Sequence, residues 1–291
     1  MTATQLFETG KLAEAVTAIG EEIKKHPLDE SRRWFLCELL CFVGNLDRAD
    51  KQLDLISTQD PKAIAGTALF RQLVRAELAR EEFFREGRVP EFLGLPGPVA
   101  KAHLEASIEL RLGNSTAAAQ LLAQAREIAP AVTGTCDGAP FEDFRDLDDL
   151  CSPFLEVLTS TGKYYWVELS TIDSLEFRPP KRARDLLWRQ AEMSVHGGPY
   201  GDVYVPCLYA GTAASTNDQF RMGRATDWTP EDAGPVRGTG LRMLLIGEQD
   251  KSLMEITKVE FTNSRSIDDP EAAAVPSADA APANPDGSNP A

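Results

Sequence analysis

One spacing recurs three times in this chain: a glycine, an alanine five residues later, and a proline twelve residues after that. It occurs as Gly10–Ala15–Pro27, Gly44–Ala49–Pro61 and Gly113–Ala118–Pro130. The first two copies start 34 residues apart and the third starts 69 after the second, close to two periods. A period of 34 is that of the tetratricopeptide helical hairpin. The three residue types have mechanical reasons to recur. Glycine closes a helix in the left-handed conformation that a Cβ disfavours. Alanine lets the next helix approach its neighbour closely, and proline stops that helix. Leu12 and Leu46 fill the same place in their copies, where the third has Ser115. The competing reading, a plain helical bundle, treats the shared punctuation as coincidence.

The pattern predicts a hairpin over 4–25, with a short helix around Gln5–Thr9 and another over Leu12–Lys25, then a helix through Trp34, Leu39 and Phe42 capped by Asp29 or Ser31. Leu46–Ser57 is its return helix, and a longer helix runs from Ala63 to about Glu86. That helix breaks the repeat, because the next glycine position, 78, is Leu. A Pro/Gly spacer, Val89–Pro98, precedes the last hairpin, Val99–Leu112 and Ser115–Ile128. After Pro130 helical periodicity yields to short aromatic and β-branched runs. Tyr164–Leu169, Asp185–Val195, Asp202–Tyr209, Leu241–Gly247 and Leu253–Phe261 read as strands, and Phe154–Leu158 and Ser170–Leu175 as short helical turns. The expected architecture has three parts. A TPR-like α–α superhelix over 1–133 is followed by a small antiparallel, barrel-like β domain over 134–263. The Ala/Pro-rich tail, 264–291, is expected to be disordered.

A formal charge of −15 argues against nucleic acid or an anionic membrane as partner. No apolar run is long enough for a membrane span and no secretory signal is visible, so the expected address is the cytoplasm. Five cysteines without a framework suit a reducing compartment.

Each candidate for chemistry lacks a requirement. Cys37 and Cys41 share a helix face but have no second pair of metal ligands, which leaves them as core packing. His26, His103 and His196 are dispersed, and the sequence around Cys207 resembles no nucleophile elbow for a pairing with His196. The acidic cluster Glu142, Asp143, Asp146, Asp148 and Asp149 lacks the glycine and terminal glutamate of a calcium loop and reads as a solvated face. Gly238-Thr-Gly240 begins like a dinucleotide fingerprint but precedes a strand. No catalytic residue, cofactor or metal site is expected. What remains is surface: stacked hairpins present a concave groove suited to an amphipathic helix. On the usual phase of such repeats Ser31, Trp34, Glu38, Cys41 and Phe42 line it, joined by His103, Ser107 and Arg111.

Several phrases, in order, carry a resemblance. LFETGKLAEAV, HPLDESRRWFLCELLCFVGNLDRADKQLD, KYYWVELSTIDSLEF, RARDLLW, VPCLYAGT, RATDW and GTGLRMLLIG, spanning about 5–262, resemble the ImpE/SciE (TagJ) proteins, accessory components of type VI secretion. The resemblance implies a cytoplasmic, non-enzymatic adaptor. Its implied partner is the N-terminal helix of the small sheath subunit, of TssB/VipA type, with a link to sheath recycling by the ClpV-type ATPase. It carries no active site to transfer. Asp227 and Arg242 in the later phrases are candidates to pair across the barrel. The rival readings are a hydrolase-like enzyme hidden in the β domain, using Cys207, His196 or the acidic cluster, and a self-associating scaffold.

Overall fold

The three Gly–Ala–Pro phrases are three matching helix corners in the computed structural model, which describes residues 1–230 and 234–267. Gly10, Gly44 and Gly113 have φ of 83°, 69° and 80°. Each corner makes the same two hydrogen bonds: Gly10 N to Phe7 O and Lys11 N to Leu6 O, Gly44 N to Cys41 O and Asn45 N to Leu40 O, Gly113 N to Leu110 O and Asn114 N to Glu109 O. This is the Schellman pattern, which satisfies carbonyls that a helix end would leave orphaned. Ala15, Ala49 and Ala118 are completely buried, as close helix approach requires.

The helices are α1 (Ala3–Glu8), α2 (Leu12–Lys25), α3 (Glu30–Phe42), α4 (Leu46–Gln59), α5 (Ile64–Glu86), α6 (Pro98–Arg111) and α7 (Ser115–Ile128). Asp29 caps α3, accepting from Arg32 N. α1–α2 and α3–α4 are hairpins, but among the described residues α5 has no return helix. It runs past position 78 and closes at Gly87, φ 85°. Its C-terminal half turns instead to the sheet.

The strands are β1 (Gly134–Cys136), β2 (Ala139–Phe141), β3 (Phe144–Asp146), β4 (Phe154–Leu158), β5 (Tyr164–Glu168), β6 (Ile172–Phe177), β7 (Trp188–Val195), β8 (Tyr200–Pro206), β9 (Thr226–Trp228), β10 (Gly238–Gly240), β11 (Met243–Ile246), β12 (Gln249–Ser252) and β13 (Lys258–Phe261). Eight form an antiparallel sheet in the order β2-β1-β13-β6-β7-β8-β4-β5, accompanied by a β12-β11-β3 sheet and a β9–β10 pair. The expected barrel does not form: the large sheet stays open, with β2 and β5 at its edges. The spacer covers the β5 edge, where Glu91 N donates to Tyr164 O (2.9 Å) and Trp166 N donates to Glu91 O (3.0 Å). Such cover blunts an edge that would otherwise pair with another chain.

Two further expectations fail in this half. Phe154–Leu158 is a strand, not a helical turn, and most of 170–175 belongs to β6. All five β4 residues are buried, so the strand has no polar alternation to betray it. Phe154 and Leu158 join the helices in one core, while Leu155 and Val157 face a second core with Phe144, Leu244 and Val259. At β4 the sheet is therefore buried on both faces. Residues 264–267, expected to open the tail, are described and ordered against the sheet. Arg265 N donates to Ser170 O (2.6 Å) and Ile267 N to His196 O (3.4 Å), which fastens Ser264–Ile267 to the sheet. The rest of that segment lies outside the described residues.

A short helix, α8 (Asp218–Arg221), and Arg224 close over the first corner. Arg224 donates to the carbonyls of Phe7 and Glu8, both at 3.0 Å, at the negative end of α1. Asp218 accepts from Ala13 N (3.2 Å) at the positive end of α2. Both charges complement the helix dipoles. A Cβ at Gly10 would stand 2.7 Å from Gln219 Nε2 and 3.0 Å from Arg224, whereas Gly113 has nothing within 4 Å. Gly113→Ala should cost about 1–2 kcal/mol for the left-handed backbone alone. Gly10→Ala should cost more, because it also displaces the clasp; comparing the urea midpoints of the two variants checks this.

Candidate interaction surface

Several of the residues predicted to line a partner groove lie where the helices meet the chain's own second half. Trp34 is half-buried and stacks on Phe70 (6.3 Å, 15° between planes), which meets Trp188 of β7 edge-on at 6.0 Å. The Arg184 guanidinium lies over the same Phe70 ring at 4.9 Å. Phe42 is buried against Phe7, and Cys41 and Phe42 border a small cavity whose far wall is Leu208, Tyr209 and Gly211–Ala213. His103 is buried: its Nδ1 donates to Leu150 O (2.8 Å) and its ring meets Phe154 at 5.2 Å. Burial lowers its pKa to about 4, so the imidazole is neutral. Ser107 is buried too, donating to Leu104 O (2.6 Å) and accepting from Arg111 Nη1 (3.3 Å). Of the predicted groove residues, Ser31, Trp34 and Arg111 keep solvent-facing surface, while Glu38, Cys41, Phe42, His103 and Ser107 do not.

Glu38 lies at this buried junction near Arg184 and Arg182. Burial raises its carboxyl to about 7, against the downward pull of the two arginines. A raised folded pKa means that ionisation above pH 7 costs stability and that acidification towards the ordinary value near 4.5 restores it. The full interval corresponds to about 3 kcal/mol. Glu38→Gln should therefore gain stability relative to wild type between pH 5.5 and 8, a trend that thermal unfolding at the two pH values would reveal.

The strongest electrostatic feature is where α5 meets the sheet. Glu156, at the centre of β4, accepts from Arg80 Nε (2.8 Å) and Nη2 (3.0 Å), from Tyr164 OH (2.5 Å) and from Arg242 Nη2. Arg80 also donates to Leu208 O (2.9 Å) and to Glu77 (2.9 Å), which in turn accepts from Trp188 Nε1 (2.9 Å). Arg242 donates to Asp146 (2.8 Å), and Trp166 Nε1 donates to Tyr164 OH (2.6 Å). Burial alone raises the Glu156 carboxyl, but Arg80 and Arg242 outweigh it and hold it well below the usual carboxylate range. Burial raises Asp146 to about 7 against the pull of Arg242.

This network corrects two expectations. Asp146 and Asp148 are not a solvated face: each is 1% exposed. Asp148 takes both carboxylate contacts from Arg237 Nε (2.8 and 2.9 Å) and accepts from Gly238 N and Leu150 N, each at 3.0 Å. Arg242 pairs with Asp146 and Glu156, while Asp227 sits exposed opposite Thr239 on the β9–β10 pair. Sequence reasoning missed Arg80 and Glu156. The available clue was a glutamate inside the apolar run Phe154–Leu158, which a buried strand tolerates only with a cationic partner.

The candidate groups for chemistry stay apart. Cys207 is fully buried, its thiol raised to about 12 by burial, and its amide bonds to Leu187 O just before β7. His196 follows the other end of β7 and pairs with Asp173 (3.1 Å), so an eight-residue strand of roughly 25 Å separates the two. Cys37 and Cys41 are buried in the helical core, where desolvation raises both thiols.

The ImpE protein family pattern matches residues 138–260. Type VI secretion system accessory component TagJ of Pseudomonas aeruginosa is 32% identical over 262 residues, covering 90% of this chain and 91% of that protein. The chain belongs to the ImpE family. The crystal structure of protein VPA1032 from Vibrio parahaemolyticus superposes with a TM-score of 0.83 at 27% identity, over 89% of this chain and 97% of that one. The phrases that carry the ImpE resemblance supply much of the junction. KYYWVEL gives Tyr164 and Trp166, and RARDLLW gives Arg184 and Trp188. VPCLYAGT gives Leu208 and Thr212, RATDW gives Arg224, and GTGLRMLLIG gives Arg242. Their common work in the fold is to seat the sheet on the helices.

Proposed function

We propose that this protein is a type VI secretion accessory adaptor without a reaction of its own. Its partner is the N-terminal amphipathic helix of the small sheath subunit, of TssB/VipA type, and its role lies in sheath recycling with the ClpV-type ATPase. The observation that carries this reading is the 32% identity to the type VI accessory component TagJ across 90% of the chain. The TPR-like reading of the hairpins supports it, since such repeats commonly hold helices. So does the charge of −15, which favours protein partners with basic residues over nucleic acid.

The decisive experiment titrates a labelled peptide of the sheath subunit's N-terminal helix onto the full chain by fluorescence anisotropy. Saturable binding in the micromolar range, about −8 kcal/mol, is expected. No binding at about 100 µM peptide, near −5.5 kcal/mol, would refute the partner assignment. A pull-down of the ATPase with and without sheath subunit would separate direct from bridged contact.

A further inference from the structure

Strand β11 is apolar on both faces, yet only one of them joins a core among the described residues. Its residues are Met243, Leu244, Leu245 and Ile246, and their burial alternates. Leu244 and Ile246 are buried in the second core, while Met243 and Leu245 are half-buried and belong to neither core. A sheet with one wet face ordinarily alternates apolar with polar residues, so apolar side chains on the second face mark a surface to be covered. The register carries this surface across the whole β12-β11-β3 sheet. Arg145 and Asp250 stand opposite Leu245, one on each neighbouring strand, and directly opposed residues share a face. Leu147 continues the row beyond β3, its amide donating to Met243 O (3.1 Å).

Over this face opens a pocket of about 630 Å³. Arg145, Met243 and Asp250 line it from the three strands, with Leu147 beside them and Trp228 of β9 adding an aromatic wall. Trp228 meets Tyr209 edge-on at 5.6 Å, and neither it nor Leu147 belongs to either core. The arginines at the rim are compensated within the chain. Arg126 of α7 donates to Asp149 (2.8 Å), and Arg145 donates to Asp143 (3.2 Å). Asp149 also accepts from Val236 N (2.8 Å). Asp250 is the exception: it is exposed and has no hydrogen bond or ion pair among the described residues.

The dimensions fit a helix better than an added strand. Because all three strands line it, the pocket opens over the face and not along the free edge of β12, where a strand would pair. Three strands about 4.8 Å apart make a strip roughly 10 Å across, close to the diameter of a helix with its side chains. A helix laid on a sheet is also the ordinary way to bury an apolar sheet face.

We infer that the outer face of the β12-β11-β3 sheet seats an amphipathic helix of a partner protein. Its apolar stripe covers Met243, Leu245 and Leu147 and sets a large side chain against Trp228. A Lys or Arg on its flank pairs with Asp250, and the chain's charge of −15 favours such a basic flank. The inference rests on the adaptor reading and places its partner helix on the β half of the chain.

The test uses the full-length protein and the same labelled sheath-helix peptide. Trp228→Ala should weaken binding at least about tenfold, as loss of a central aromatic contact does. Asp250→Lys should weaken it about threefold or more, and changing one Lys or Arg of the peptide to Glu should restore it. Because Trp228 is half-buried, far-UV circular dichroism must show that its variant is folded; Asp250, which is exposed, carries the test if it is not. Equal binding by wild type and both variants would overturn this seat while leaving the adaptor reading intact. No binding by wild type would overturn both. A concentration-dependent dimer abolished by Trp228→Ala would assign the face to a second copy of this chain and overturn the inference.

Discussion

Glu156→Leu should lower the unfolding free energy by about 3–5 kcal/mol, the scale for removing one partner of a buried ion pair. The substitution keeps the apolar character of β4 yet leaves two buried guanidiniums facing the vacated carboxylate position. Arg80 would retain Glu77 and the Leu208 carbonyl, and Arg242 would retain Asp146. Arg80→Met should cost less, because Glu156 would still accept from Arg242 and Tyr164. The double variant Arg80→Met/Glu156→Leu should recover part of the loss, giving a coupling of about 1–3 kcal/mol in a double-mutant cycle. Urea unfolding followed by circular dichroism measures all three. A loss below about 1 kcal/mol for Glu156→Leu would show that water reaches the site and screens it as at a surface.

The same residues mark where the sequence was legible and where it was not. The helical corners were readable because a Schellman turn is local: glycine, its neighbours and the carbonyls they satisfy lie within six residues. The open sheet was harder. β4 is buried on both faces, which erases the alternation of two by which a strand announces itself. Asp146 and Asp148 read as solvated charge because their partners, Arg242 and Arg237, are 96 and 89 residues away. The burial of Glu38 and His103 was hidden for the same reason. A local period says nothing of strands more than 100 residues later that pack on the helices: Trp188 reaches Glu77 across 111 residues and Arg80 reaches Leu208 across 128. The departure of α5 from the period at Leu78 was legible.

Trp166→Ala should be as damaging as the loss of Glu156, for a different reason. The indole is 1% exposed, stacked on Phe154 at 4.7 Å and met edge-on by Phe83 of α5 at 4.8 Å. It lies directly opposite Glu156 in the β4–β5 register, so it forms the apolar wall of the ionic site. Truncation at such a position costs about 3–5 kcal/mol through lost transfer energy and the cavity left behind. Trp166→Phe separates the ring from its N–H. It keeps aromatic contact with Phe154 and Phe83 but removes the donor to Tyr164, which should cost about 1 kcal/mol beyond the reduced ring volume. If the wall keeps water from the Glu156 pairs, Trp166→Ala should also shrink the Arg80–Glu156 coupling, since the attraction weakens as the local dielectric rises. Double-mutant cycles in the wild-type, Trp166→Phe and Trp166→Ala backgrounds measure this directly. Equal coupling in all three would mean that the ion network holds the helices to the sheet without help from the aromatic wall. A coupling that falls only with alanine would make the two a single device, in which burial strengthens the charges and the charges fix the register of the strand that the ring covers.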